Sequence, residues 1–171
     1  LAVEVGQRVV AKGSPCFPYV TAFPAYPYRP SGRDLRLLFE APRNWGEYHL
    51  TRMRGYLHPP VTGEYTFWIA SDNSSELWLS SNDDPVRVKK IAFISRYNWV
   101  APREWSRNPS QRSDGIFLRA GQKYYIEALQ EQTTLADHLA VAWQGPAMPQ
   151  AVIEAPHLTP WIENSQAASL A

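Results

Sequence analysis

The stretch VTGEYTFWIASDNSSELWLSS, residues 61–81, contains two apolar runs separated by a short polar insert. Each run combines aromatic and aliphatic residues, a composition typical of β-strands. The insert, residues 71–75, consists only of Ser, Asp and Asn. Such an insert favours a hairpin turn, because these side chains hydrogen-bond their own backbone. Its many oxygen atoms also make it a candidate ligand-binding site.

Short segments of the same kind recur along the 171 residues, with turn signals between them. The 15 prolines and 9 glycines leave little room for long helices, and no segment shows a helical period. We therefore predict an all-β fold, a single antiparallel β-sandwich or barrel with long loops. The predicted strands are VEVGQRVV (3–10), DLRLLFEA (34–41), HLTRMRGYL (49–57), GEYTFWIA (63–70), ELWLSS (76–81), KKIAFIS (89–95), GIFLRA (115–120), QKYYIEALQ (122–130) and LAVAWQ (139–144).

The strand pattern also predicts the limits of the domain. Residues 1–148 are expected to form the sandwich, and residues 149–171 an exit segment and linker, because the alternation disappears after Trp143. Two long connections, residues 14–34 and 96–115, carry aromatic side chains. We expect both to be ordered loops packed on the sandwich.

Composition argues against several classes of function. The formal net charge is +1 and no long Lys/Arg run occurs, whereas nucleic-acid binding needs clustered basic residues. No apolar run is long enough to span a bilayer, so no membrane insertion is expected. Cys16 is the only cysteine and has no activating base nearby in the sequence, so we expect a buried apolar side chain.

Two groups of motifs resemble the domain named after the N-terminal part of anthrax protective antigen. They are GYLHPPVTGEYTFWIASDNSSELWLS (55–80), and GQKYYIEALQEQ (121–132) followed by LAVAWQGP (139–146). LLFEAPRNWGEYHLTRMRGY (37–56) and PREWSRNPSQRS (102–113) look similar too, so that the resemblance covers most of residues 1–146. It implies a β-sandwich module attached to neighbouring domains of a larger secreted or cell-surface protein, such as a glycosidase, adhesin, toxin or flocculin.

In the lectin branches of that family, two consecutive aspartates joined by a cis peptide bond hold a calcium ion that binds sugar hydroxyls. A residue from a later loop completes the site. The resemblance places the pair at Asp72 and Asn73, and the later loop at EQTTLADH, residues 131–138. The implied ligands in that loop are Gln132 and Asp137, with Glu131 a weaker candidate. His138 is a candidate sugar contact only because this loop is implicated; otherwise it is an ordinary surface histidine.

This sequence departs from the lectin pattern because Asn73 stands where the second aspartate is expected. Calcium accepts amide oxygens, but each carboxylate that is lost lowers the affinity of the site. Asp83 and Asp84, in SNDDP (81–85), form a true carboxylate pair and a rival metal loop. A solvated turn before an edge strand is the preferred interpretation there, because a proline follows.

Tryptophan residues are candidate platforms for sugar rings. Trp99 and Trp105 lie in a long connection, where either sugar stacking or packing against the sandwich is expected. Trp68 and Trp78 lie in predicted strands, where burial in the core is expected. No nucleophile elbow, phosphate loop or catalytic triad motif is present, so we predict no enzymatic activity.

These patterns predict a non-catalytic module that binds a glycan or polysaccharide with the help of calcium. The alternative is a structural, protein-interaction or spacer domain without a sugar site, which predicts a trans Asp72–Asn73 peptide bond. Asn73-Ser74-Ser75 also matches the N-glycosylation pattern. The lectin hypothesis predicts that Asn73 carries no glycan.

Overall fold

A computed structural model describes residues 2–7, of which only the backbone is considered, and residues 32–161. Cys16 and most of the connection 14–34 lie outside these residues, as does the end of the tail. The strands are β1 (Ala2–Gln7), β2 (Gly32–Leu35), β3 (His49–Leu57), β4 (Gly63–Asp72), β5 (Ser74–Ser80), β6 (Val88–Ile94), β7 (Ile116–Leu118), β8 (Tyr124–Gln132), β9 (His138–Gln144), β10 (Ala151–Val152) and β11 (Leu158–Pro160).

The strands form two antiparallel sheets that pack face to face. The larger sheet has the order β2-β1-β3-β8-β5-β6, with β11 paired to β3, and the smaller has the order β10-β9-β4-β7. The described residues contain only two short 3-10 helices, Pro85–Arg87 and Pro109–Gln111, and no helix able to cross a membrane. The predicted antiparallel β-sandwich is confirmed.

The core lies between the sheets and is lined by alternate residues of the central strands. Tyr65 of β4 and Trp143 of β9 stack with ring centroids 5.1 Å apart, and both are nearly inaccessible. Trp68 is buried, at 8% exposure, but it does not belong to the core cluster, because Phe67 and Ile69 on either side of it face the core. Trp78 also lies outside the core cluster, because Leu77 and Leu79 on either side of it face the core. The alternation of β5 therefore places Trp78 on the outer face, where Glu76 accepts its indole N–H.

The apolar runs of residues 61–81 do not pair with each other, so the hairpin interpretation is wrong. β4 pairs with β7 and β9, whereas β5 pairs with β6 and β8. Only Asn73 separates β4 from β5. The polar insert is therefore a crossover from one sheet to the other, at one end of the sandwich.

The connection 96–115 covers the edge of β4 that β7 leaves open, since β7 reaches only Tyr65. Three carbonyl groups of β4, at alternate positions 67, 69 and 71, accept hydrogen bonds from Ser113 N, Gln111 Nε2 and Val100 N respectively. These bonds satisfy backbone groups that would otherwise be exposed at a sheet edge. The long connection is thus ordered and packed, as its aromatic residues predicted.

The tail differs from the exit segment predicted after residue 148. β10 pairs with β9 and β11 pairs with β3, so the tail contacts both sheets. Ile153 and Leu158 are buried, and Trp161 packs on Tyr56 and Tyr125. Strands of two and three residues are too short to show a period in the sequence. Residues 151–161 are therefore part of the sandwich.

Candidate functional site

The crossover between the sheets places Asp72 and Asn73 at the end of the sandwich. The Asp72–Asn73 peptide bond is cis, which is not the trans bond that the alternative hypothesis predicted. Ser71 Oγ donates to Asn73 O over 2.8 Å and lies 2.7 Å from Ser75 Oγ. Gln130 of β8 donates its side-chain N–H to Asp72 O over 2.5 Å. Small hydroxyl and amide groups therefore hold the crossover in one conformation.

The β8–β9 loop meets this crossover directly. Asn73 Oδ1 accepts hydrogen bonds from Thr133 N over 2.9 Å and from Thr133 Oγ1 over 3.0 Å. The Asn73 amide nitrogen donates to Asp72 Oδ1 over 2.7 Å. Asn73 thus ties the loop to Asp72, and the two connections that the resemblance singled out lie against each other. Both ends of its amide are engaged in hydrogen bonds.

Gln132 organises the rest of the loop. Its Nε2 lies 3.0, 3.2 and 3.0 Å from the carbonyl oxygens of Thr134, Leu135 and Ala136, and the residue is fully buried. An amide NH₂ group has only two hydrogens, so it cannot bond fully to three carbonyl groups. Gln132 Oε1 is buried and has no hydrogen-bond partner among the described residues. The loop therefore concentrates negative partial charge around one side chain.

Asp137 is buried at the other end of this loop, at 3% exposure. Asp137 Oδ2 accepts from Gly46 N over 3.0 Å, and its carbonyl accepts from Asn44 N over 3.1 Å. The segment before β3 therefore positions this carboxylate. Burial lowers the pKa of the neighbouring His49 below its usual value, and the charge of Asp137 opposes that shift.

His138 is the β9 partner of Asp72 and is 4% exposed. His138 Nε2 lies 2.8 Å from Val100 O. Since a carbonyl oxygen can only accept, Nε2 carries the proton. Nδ1 is buried without a partner among residues 32–161. Burial lowers the pKa of His138, so the ring is neutral at neutral pH, whereas burial raises the pKa of Asp72. His138 is not the ordinary surface residue that the sequence alone suggested.

The aromatic candidates separate into two classes. Trp99 is 48% exposed and precedes Val100, which contacts both Ser71 and His138. The Trp99 backbone is therefore one residue away from a segment that contacts the site, and its ring is half-exposed. Trp105 is half-buried and packs against the core. Of the two roles expected for it, sugar stacking and packing against the sandwich, this placement agrees with packing.

Glu131 does not join the other candidates. Gln130 and Gln132 point toward the crossover and its loop, and successive side chains of a strand point to opposite faces. Glu131 therefore lies on the outer face of the large sheet, and its expected place in the site is wrong. A buried position on that face, at 3% exposure, is consistent with this placement.

The rival pair Asp83–Asp84 lies beyond the far end of β5 and has other partners. Asp84 Oδ1 caps the first 3-10 helix by accepting from Val86 N over 2.9 Å, and Asp83 forms an ion pair of 3.2 Å with Lys123. The turn interpretation is confirmed. Within the described part of the chain, no three His, Cys, Asp or Glu side chains are grouped to hold a metal. A cation site here would therefore depend on amide and carbonyl oxygens as well as Asp72.

Sequence reasoning missed Gln130 and Thr133. Gln130 alternates with core residues of β8, and a polar side chain at an inward position is a signal that could have identified it. Thr133 offered no signal, because its role depends on the position of Asn73. The three converging carbonyl groups are backbone atoms and leave no trace in the sequence.

Comparison with known proteins supports the fold and the family. Residues 37–154 match the PA14 domain family. An N-acetyl-beta-glucosaminyl-glycoprotein 4-beta-N-acetylgalactosaminyltransferase 1 of Mus musculus is 32% identical over 148 residues, which is 84% of this chain. This chain spans 14% of that protein and 2% of the fibrocystins that it also matches.

Two solved structures share the fold at low sequence identity. The PA14 sugar-binding domain of an RTX adhesin superposes with a TM-score of 0.69 at 10% identity, covering 94% of this chain and 97% of that one. The epithelial adhesin 6 A domain of Candida glabrata, in complex with Galβ1-3GlcNAc, gives a TM-score of 0.63 at 14% identity. That match covers 96% of this chain and 88% of the adhesin domain.

Proposed function

Because this chain belongs to the PA14 domain family, we propose that it is a non-catalytic carbohydrate-binding module of an extracellular or cell-surface protein. Two proteins of the same fold support the proposal, since one is described as sugar-binding and the other holds a galactose-containing disaccharide. The mouse relative is named as a glycosyltransferase that acts on glycoproteins. A module of this kind in such a protein would hold the glycan close to a neighbouring catalytic domain and raise its local concentration.

The observation that carries the proposal is the meeting of the crossover with the β8–β9 loop. Asn73 and Thr133 join the two connections, and Gln132 faces three carbonyl oxygens with its own Oε1 left without a partner among the described residues. A hairpin turn or a spacer domain has no need for a buried Gln132 Oε1 without a partner, because an unsatisfied buried polar atom costs about 1–3 kcal/mol. A bound cation would remove that cost.

The oxygens at this site fit calcium, which takes six to eight oxygen ligands from carboxylates, amides and carbonyls. Asp72 and Gln132 would hold the ion together with the loop carbonyls, provided that the Gln132 amide turns to present Oε1. Asp137 would add negative charge close by, and Asn73 would clamp the loop to Asp72. When bound, the ion would offer open coordination positions to sugar hydroxyls.

The remaining residues would orient the sugar. Trp99 presents a half-exposed ring at the rim, and an indole face packs well on the apolar C–H face of a pyranose. His138 fixes the position of Val100 through a hydrogen bond of 2.8 Å and so sets the place of Trp99. Such a shallow site predicts modest affinity for a single sugar.

Thermal unfolding with calcium and with a chelator tests the cation site. We expect calcium to raise the melting temperature of the unmodified protein, and Asp72→Ala to remove this increase. Asp84→Ala is the matched control, because Asp84 caps a 3-10 helix at the other end of β5 and should leave the calcium effect intact. Equal melting curves with calcium and chelator would reject the cation site.

A glycan array with and without chelator tests sugar binding separately. We expect binding that is lost in the chelator. Binding that survives the chelator would reject calcium but keep the sugar site. No binding under either condition would favour a structural or protein-interaction domain.

A further inference from the structure

One wall of the proposed sugar site is built by residues 39–44, which run antiparallel to β9. Ala41 N donates to Leu139 O over 2.8 Å and Asn44 N donates to Asp137 O over 3.1 Å. Glu40 forms a β-bridge with Ala140. Arg43 immediately precedes Asn44, so its side chain starts beside the Asp137–His138 end of β9.

The charges on this wall are unbalanced. Arg103 binds Glu40 through two hydrogen bonds, of 3.1 Å from Nε and 2.6 Å from Nη2. Arg43 approaches the same carboxylate only to 3.8 Å, which is too far for a hydrogen bond. One carboxylate therefore faces two guanidinium groups, and the better-placed Arg103 already uses it.

Arg43 keeps its hydrogen-bonding capacity. Its side chain is 54% exposed, and within residues 32–161 its one polar partner is Glu40, at the long ion-pair distance. A guanidinium group has five N–H donors in a plane, an arrangement that suits two oxygens of one anion.

A second cation flanks the aromatic rim. Arg107 lies over the Trp99 ring at 5.3 Å from its centroid. Arg107 reaches its nearest carboxylate, on Glu104, only at 4.0 Å. Glu104 Oε2 is already bound by Ala101 N over 2.8 Å. Both the wall and the rim of the site thus carry positive charge that Glu40 and Glu104 only partly neutralise.

We infer that the glycan bound at this site is acidic, carrying a sulfate or a carboxylate group, and that Arg43 binds this anion. The inference rests on the proposed carbohydrate-binding function. A neutral sugar would leave the guanidinium donors of Arg43 to water, whereas an anionic group would engage two of them at once. Arg107 supplies further attraction beside Trp99.

The test compares three forms of one disaccharide on the intact domain: Galβ1-3GlcNAc, its 6-sulfate and its 3′-sialylated form. Because exposed ion pairs are worth at most about 1 kcal/mol, we expect one or both acidic forms to bind roughly fivefold more tightly than the neutral form at low salt. The form that gains affinity identifies the source of the anion. The gain should shrink at about 0.5 M NaCl, where charges are screened.

Arg43→Gln should bring the ratio of acidic to neutral affinity close to one. Arg119→Gln is the matched control, since Arg119 is an exposed arginine over the Phe117 ring at the opposite end of β4 and should leave the ratio unchanged. Equal binding of all three glycans, or a preference that survives Arg43→Gln, would overturn the inference alone. Failure of all three glycans to bind would overturn both the inference and the proposed carbohydrate function for this disaccharide series.

Discussion

Replacing Gln132 with glutamate tests the cluster of oxygens around this buried side chain most directly. The substitution keeps the size of the side chain and removes the N–H groups that face the carbonyl oxygens of Thr134, Leu135 and Ala136 at 3.0–3.2 Å. A buried carboxylate would then point at three carbonyl groups. Without a cation, its oxygens would be unsatisfied or repelled by those carbonyl groups.

The expected cost follows from the hydrogen bonds that the substitution removes. Two N–H hydrogens at about 1 kcal/mol each, together with the unfavourable burial of an acidic group, give a decrease of about 2–4 kcal/mol in the free energy of unfolding. For a domain of this size, 1 kcal/mol corresponds to about 2–4 °C, so the melting temperature in chelator should fall by about 4–16 °C.

Calcium should reverse much of this decrease, because a carboxylate is a better calcium ligand than an amide. An ion present at about 100 times its dissociation constant stabilises the folded state by about 2.7 kcal/mol. The assay is urea or thermal unfolding of the unmodified protein and of Gln132→Glu, each in chelator and in millimolar calcium. The calcium-induced increase should be larger for the variant.

Gln111→Glu provides the matched control. Gln111 is also fully buried, and its Nε2 donates to Ile69 O over 3.0 Å and to Glu104 O over 2.6 Å. It should lose similar stability in chelator but gain nothing from calcium. If Gln132→Glu is as stable as the unmodified protein in chelator, the loop does not depend on the amide. If calcium stabilises Gln132→Glu no more than it stabilises the unmodified protein, the cation site is refuted.

Three further predictions concern other parts of the sandwich. Burial lowers the pKa of His49 and His138 below 6.5, so the unfolded chain takes up their protons first and the free energy of unfolding should fall as the pH drops below about 6.5. The raised pKa of Asp72 has the opposite effect on stability, so the contribution of the two histidines is isolated by comparison with the double variant His49→Gln/His138→Gln. The urea midpoint of this variant should change less between pH 7.5 and 5 than the midpoint of the unmodified protein, and an equal change in both proteins would contradict this account. Trp99→Ala should lower glycan affinity about fivefold with little change in melting temperature, whereas Trp105→Ala, which opens a gap against the core, should cost about 2 kcal/mol of stability. Calorimetry measures both quantities, and a loss of stability in Trp99→Ala with a loss of affinity in Trp105→Ala would contradict these two roles. Ending the chain after residue 148 should prevent stable folding, because β10, β11 and the buried Ile153 and Leu158 are removed, while ending it after residue 161 should not; circular dichroism of the two proteins distinguishes these outcomes.

The order of most strands along the chain was predictable because short runs rich in aromatic and aliphatic residues are bounded by turn signals. Residues 63–70 and residues 122–130 are two such runs, and both segments form strands of the sandwich. The tail shows the limit of such reasoning. β10 and β11 have two and three residues and are held by their partners in both sheets, so their own residues carry no period.

The site was predictable only in part. Asp72 and Asn73 stood out because small oxygen-bearing residues interrupted two apolar runs, and Gln132 stood out through the family resemblance. Glu131 was misplaced because the resemblance identified a loop without saying which face of β8 each residue occupies. Once the register of β8 is known, Gln130 and Gln132 face the crossover and Glu131 faces away.

By itself, the sequence determined most of the longer strands, since a run of aromatic and aliphatic residues between turn signals is a local property of each segment. Only the tertiary structure decided that the polar insert joins two sheets, since pairing partners are chosen by interactions between residues far apart in the chain. It alone also brought Thr133 to Asn73 and gathered the carbonyl groups around Gln132. Backbone oxygens are the same at every position of a sequence, so their convergence appears only when the chain has folded.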